Sequence, residues 1–176
     1  TDACQRKRAF LDVMKKYDLP MDESHIETGD FSECVQTQVN ALLDRIPNLQ
    51  AIVCANDVMA LTAYQECEKR GLHIGHDIAV TGFDGIEEAL DFYPPITTVR
   101  YDIDATISRT FRIMRNLLQG KEIDEPLEIV SEIVYGSSCG CQSNKQNSMT
   151  KYNNRTHKLH SRLNDHRHFS ETQIYM

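Results

Sequence analysis

Two hydrophobic periods alternate along this chain. Over residues 3–17, Phe10, Val13, Met14 and Tyr17 recur at helical spacing on one apolar face, with Asp2 placed to cap the helix. A short extended segment is expected at 24–28, leading into Gly29-Asp30-Phe31. A second helix is expected over 32–46, with Val35, Val39, Leu42, Leu43 and Ile46 on one face. Ala51-Ile52-Val53-Cys54-Ala55 then has the pattern of a buried strand. Asn56-Asp57 ends it and can cap a helix over 58–70, which Gly71 stops. Ile78-Ala79-Val80-Thr81-Gly82-Phe83 is another apolar strand, closing at Asp84-Gly85. A short helix at 86–92 breaks before Pro94-Pro95, because the residue before a proline avoids helical backbone. Residues 96–99 are extended. The strongest amphipathic helix covers 103–119, with Ile103, Ile107, Phe111, Met114 and Leu118 on its face and Gly120 after it. One or two strands are expected over 127–135.

Helices and strands in alternation, joined by short connections, predict an α/β fold: a parallel sheet in a three-layer αβα arrangement. No internal repeat is visible. After Cys141 the apolar periodicity fades. Residues 142–154 have the composition of a polar linker, and 155–176 form at most a weak amphipathic helix. With 176 residues and 40% apolar composition, one domain can bury a sizeable core. No apolar run approaches the roughly 18 residues of a membrane span, and no charged-then-apolar leader opens the chain, which begins at Thr1.

Charge adds a second division. Residues 1–141 carry 13 Lys/Arg against 24 Asp/Glu, whereas residues 142–176 carry 6 against 2. An acidic body repels phosphate backbones, so direct contact with nucleic acid is not expected of it. The basic tail is too short and mixed to argue the opposite. The six cysteines, Cys4, Cys34, Cys54, Cys67, Cys139 and Cys141, read as reduced thiols of a cytoplasmic protein, not as a disulfide framework.

Ligands of open parallel sheets bind beyond the carboxyl ends of the strands. That rule selects Phe31, Asn56, Asp57 and Asp84, together with Arg6 near the start of the opening helix. Arg, Asn and Asp can each make paired hydrogen bonds to vicinal hydroxyls or to a heterocycle edge, and Phe31 offers a flat apolar face. Each also has a plainer reading. Asp57 and Asn56 suit a helix cap, Asp84 a turn before Gly85, Arg6 a solvated helix charge, and Phe31 the core. The set is a binding kit without a paired nucleophile and base. No Gly-x-Ser-x-Gly elbow, phosphate-cradling glycine loop or cofactor motif occurs. Cys139-Gly-Cys141 with His157, His160, His166 and His168 supplies zinc-type ligands, but the common zinc spacing is Cys-x2-4-Cys, so no metal is expected.

Ala55-Asn56-Asp57-x-Met59-Ala60, then Gly71, Asp77-Ile78-Ala79-Val80-x-Gly82-Phe83-Asp84 and Pro95-x-Thr97-Thr98-Val99 stand in an order and spacing that resembles the effector-binding domain of LacI/GalR-type regulators. The similarity extends back to Arg6-Lys7-Arg8-Ala9-Phe10 and Gly29-Asp30-Phe31, and forward to about Cys141. It implies a periplasmic-binding-protein type I-like fold, mainly the C-terminal lobe. Residues 1–141 would form a partial ligand-binding domain plus one helix, 103–119, of the N-terminal lobe. The DNA-binding segment, most of the first lobe and the strand before the opening helix would be missing, so the 103–119 helix would expose its apolar face. The resemblance places Arg6, Asn56 and Asp84 where the effector is hydrogen-bonded, Phe31 where it is stacked, and Tyr101 and Ile103 near the hinge. It implies no catalytic activity, a small-molecule effector with sugars the commonest class, and a homodimer in the intact protein. Tyr135-Gly-Ser-Ser-Cys-Gly-Cys141 followed by a polar stretch resembles clostridial-type sensors, in which a signalling helix leads to a GGDEF output. A sensor of that kind is the first expectation, and a DNA-binding repressor is the alternative.

Overall fold

The computed structural model describes residues 2–122, 129, 131–141 and 173–175. The opening helix, α1, spans Asp2–Lys16. Its apolar face is narrower than its periodicity implies. Met14 is buried and Phe10 packs against the core, while Val13 and Tyr17 are 50% and 37% exposed. The extended segment expected at 24–28 starts later. Asp22 accepts the Ser24 N–H, and the N–H of Asp22 is bonded in return to the His25 ring. This reciprocal cap winds Glu23–His25 into a single 3-10 turn and leaves Ile26 as the first extended residue.

The second helix, α2, covers Gln36–Arg45, four residues shorter at its start than expected. Residues 30–34 spend their backbone donors elsewhere. Asp30 accepts the Ser32 N–H, and the Ser32 hydroxyl accepts the Cys34 N–H. Such side-chain turns compete with helix for the same groups. Val35, Val39 and Leu42 are fully buried on the inner side.

The parallel core consists of β1, Ala51–Val53, and β2, Ala79–Thr81, in register Ile52 to Val80. Ile52 and Val80 point to one face and are completely buried; their neighbours point to the other and are half-buried. Between the strands runs α3, Asp57–Lys69. Met59, Ala60, Ala63, Tyr64 and Cys67 bury against α2 and the inner sheet face. Gly71 ends the connection at φ +74°, a backbone conformation that suits glycine. On the opposite face lies α1, which gives the αβα layering. A short helix, α4, spans Glu87–Leu90.

The sheet is not purely parallel. Strand β3, Thr98–Tyr101, follows β2 through parallel bridges at Thr81–Thr97 and Asp84–Arg100. It then pairs antiparallel with β4, Ser131–Val134. The Gly136–Cys139 segment locks this corner. Buried Ser138 donates to the Val80 carbonyl and accepts the Thr97 N–H. A Cβ on Gly136 would lie 2.0 Å from the Pro95 carbonyl oxygen, so glycine is required there.

Helix α5, Ile103–Leu118, is capped by Asp102, which accepts the Ala105 N–H. Its apolar stripe lies in solvent: Ile103, Ile107, Phe111, Met114 and Leu118 are all about half exposed or more. Finally β5, Gln173–Tyr175, pairs parallel with β1, giving the order β2-β1-β5. The weak helix expected over 155–176 is therefore a strand at these three residues. The rest of that expectation, and the linker at 142–154, lies outside the described residues. Among the described residues no helix is long and apolar enough to cross a membrane.

Candidate binding rim at the carboxyl edge of the sheet

The loops after β1 and β2 meet the start of α1 at one edge. Arg6 is the link. Its Nη1 donates to the Ala55 carbonyl at 2.6 Å, and its Nη2 lies 3.3 Å from Asp84 Oδ1. Its guanidinium also stacks on the Phe83 ring, 3.8 Å from the centroid. A solvated helix charge would show none of this. The Arg6 side chain is 19% exposed and that of Asp84 36%. Burial raises the Asp84 carboxyl above its ordinary range, and the Arg6 charge only partly opposes this.

Asp84 is held by backbone as well. Its N–H donates to the Val99 carbonyl at 2.8 Å, and its φ is +111°. Phe31 sits at φ +66° and is 39% exposed. Positive φ in such residues costs free energy and persists where surrounding contacts over-determine it, commonly at functional sites. Among the described residues, two of the four non-glycine positions with positive φ lie on this rim.

Asn56 is the cap of α3. Its Oδ1 accepts the Met59 N–H at 2.9 Å, and its Nδ2 donates to the Phe31 carbonyl at 3.0 Å. One amide N–H remains for another partner. Asp57, contrary to the cap expected of it, does not cap the helix. Its fully buried carboxylate accepts N–H bonds from Gly85 at 2.7 Å and Ile86 at 3.0 Å, and the Thr98 hydroxyl at 2.6 Å. Burial still wins over these donors, so the Asp57 carboxyl is raised. Asp57 thereby fixes the loop that carries Asp84. Gly82 makes room for it, since a Cβ there would lie 2.1 Å from Asp57 Oδ1.

Of the six candidate residues, the structure gathers Arg6, Phe31, Asn56 and Asp84 through these contacts. Tyr101 joins them through Phe83, with ring centroids 5.8 Å apart. Ile103 stands apart: it opens α5, is 62% exposed and enters none of these contacts. Phe83 is the participant that sequence reasoning missed, and Asp57, selected by its place at a strand end, is given the reading of a cap. Phe83 ends an apolar run and looks like core, whereas Asp57 follows a cap residue and looks like part of the cap. Behind the rim, a cavity of about 590 Å³ separates α1 from the sheet, lined by Phe10, Val13, Val53, Phe83, Val99 and Ile133. Arg6 also lines it, so the rim joins a charged pair to an apolar recess.

The rim presents guanidinium donors, a carboxylate acceptor and aromatic faces side by side. That combination suits a small polar molecule with a flat face. Among the described residues no three His, Cys, Asp or Glu gather to hold a metal ion. Cys139 and Cys141 are free thiols, and the four tail histidines lie outside the described residues.

Residues 2–139 match the model of the periplasmic binding protein-like domain. The transcriptional repressor PurR of Vibrio vulnificus is 35% identical over 128 residues, 70% of this chain and 37% of that protein. A sugar-binding LacI-family transcriptional regulator from Escherichia coli, solved with phosphate, superposes with a TM-score of 0.69 at 23% identity, covering 77% of this chain and 49% of that one. A LacI-family regulatory protein from Chloroflexus aggregans is 30% identical with a TM-score of 0.62, covering 68% and 43%. The chain thus spans less than half the length of each of these relatives. On fold, motif order and family match together, it belongs to the periplasmic binding protein-like domain family, in the form carried by LacI-type regulators.

Proposed function

We propose that this chain is the effector-binding part of a LacI-type transcriptional repressor, and that it binds its ligand at the Arg6–Asp84 rim. The observation that carries the reading is the Arg6 side chain. It is fixed at once by the Ala55 carbonyl, the Asp84 carboxylate and the Phe83 face. A preorganised pair of this kind loses little freedom on binding. The relatives are described as transcriptional repressors and regulators, which favours a DNA-binding output over the GGDEF-type output suggested by the tail. The effector is a small molecule. Within that class we favour a sugar, because vicinal hydroxyls pair with Arg and Asp while a ring face stacks on Phe31 or Phe83. The intact protein would be cytoplasmic and dimeric, a lac repressor dimer being among the structural relatives. Ligand would bridge two lobes, favour one arrangement and shift an equilibrium of DNA binding.

The test is an operator-binding titration of the repressor that contains this chain, with pentoses, hexoses and nucleosides as probes. We expect one probe class to change DNA affinity, and Asp84→Ala to abolish the response without altering ligand-free DNA binding. A variant that keeps the full response removes the site. A protein that binds no DNA under any condition removes the repressor output.

A further inference from the structure

Cys139, Gly140 and Cys141 follow the Ser138 lock at the amino edge of β2, away from the Arg6–Asp84 rim. The Gly140 N–H donates to the Ser137 carbonyl at 3.0 Å and closes a turn. Gly140 takes φ +73°, and a Cβ there would lie 3.1 Å from the Gly75 carbonyl oxygen, so the turn seats against the loop before β2. The start of the turn is fixed by Ser138, whose N–H donates to the Pro95 carbonyl and whose own carbonyl accepts the Val80 N–H. The fold therefore holds two cysteines in one place with a single glycine between them.

The six cysteines differ in what their surroundings allow. Cys54 and Cys67 are buried in the core, where burial pushes both thiols up. Cys4 and Cys34 are exposed, far apart in sequence from any other cysteine. Cys141 is exposed, and Cys139 is half-buried with its thiol directed at the Gly136 carbonyl, 3.7 Å away. The two thiols meet: the Cys139 side chain is hydrogen-bonded to that of Cys141. Burial, and after it this contact, push the Cys141 thiol up to about 11. Since the thiolate is the nucleophile, Cys141 attacks slowly near neutral pH. That governs the rate, while the end point depends on the nearness of the second sulfur.

We propose that Cys139 and Cys141 form a redox modification site, which closes to an intramolecular disulfide by exchange with a small-molecule disulfide of the glutathione class. The exposed Cys141 thiolate attacks one sulfur of the oxidant, whose S–S bond breaks and releases one thiolate. Cys139 loses its proton, attacks the Cys141 sulfur of the mixed disulfide and expels the second thiolate. Two protein thiols are oxidised, one small-molecule disulfide is reduced to two thiols, and the two protons pass to them. Excess reduced thiol reverses both steps. Closure takes the Cys139 S–H donor from the Gly136 carbonyl, beside the Ser138 lock.

The intact protein that contains this chain is equilibrated in mixtures of reduced and oxidised glutathione, quenched with acid, alkylated and mapped by mass spectrometry. The tryptic peptide of residues 122–145 holds these two cysteines and no other. We expect it to lose two hydrogens without gaining an adduct, and dithiothreitol to restore both thiols. Closure should be favoured at least about tenfold more in the folded protein than in urea, where the turn is lost. In Cys139→Ser, Cys141 should instead retain a glutathione adduct. A peptide that stays as two thiols in oxidised glutathione overturns the proposal. Two stable adducts, or equal closure in folded and unfolded protein, overturn it as well.

Discussion

At the scale of single residues, Asp57 is the decisive group. It touches two backbone N–H groups and one hydroxyl, all from segments beyond its own helix. An amide at this position keeps one acceptor oxygen and leaves a buried donor without a complement. Asp57→Asn should therefore lower stability by about 1–3 kcal/mol in urea unfolding. Gly82→Ala should also destabilise, because its Cβ would displace the same carboxylate. The acid side of the stability profile has an opposite source. Asp77 accepts the His73 backbone N–H and lies against the rings of His76 and His73, and these contacts hold its carboxyl well below the ordinary range. A lowered folded-state value gives stability that is present above the unfolded value near 3.8 and is lost as pH falls through the folded one. Asp57 and Asp84 are raised, so their contribution runs the other way, improving as pH falls. Measured from about pH 5 downward, Asp77→Asn should lose less stability than the unmodified chain. A steeper loss would contradict the assignment.

At the scale of elements, α3 holds the rim together. Its cap Asn56 both starts the helix and anchors Phe31, so Asn56→Ala should cost about 1 kcal/mol or more in thermal unfolding. The alternation of helices with apolar strands was readable from periodicity, and so were β1, α3, β2 and α5. The elements that moved did so for local chemical reasons. Asp22 and Asp30 offered side-chain bonds that displaced an expected strand start and an expected helix start. The antiparallel turn of β4 was not legible, because strand direction depends on where the chain returns and periodicity carries no such information. Rim positions followed from strand ends alone. The stacking of Arg6 on Phe83 did not, since it needs three elements to converge.

At the scale of the whole molecule, α5 is the exposed feature. Its apolar stripe lies in solvent, and contiguous patches of this kind drive association. Paired Ile107→Glu and Phe111→Glu substitutions should reduce self-association in sedimentation velocity while leaving the unfolding midpoint nearly unchanged. The central claim, however, is that the Arg6–Asp84 rim binds a small polar effector. It is tested most directly by NMR titration of the isotopically labelled repressor that contains this chain, with ribose, galactose, cellobiose, adenosine and hypoxanthine at millimolar concentrations. The account predicts that at least one of them shifts the Arg6 Nε and the Ala55, Asn56 and Asp84 backbone resonances together, with the response lost in Asp84→Ala. Shifts confined to other regions, or no response to any probe from a chain whose spectrum shows it folded, would contradict it.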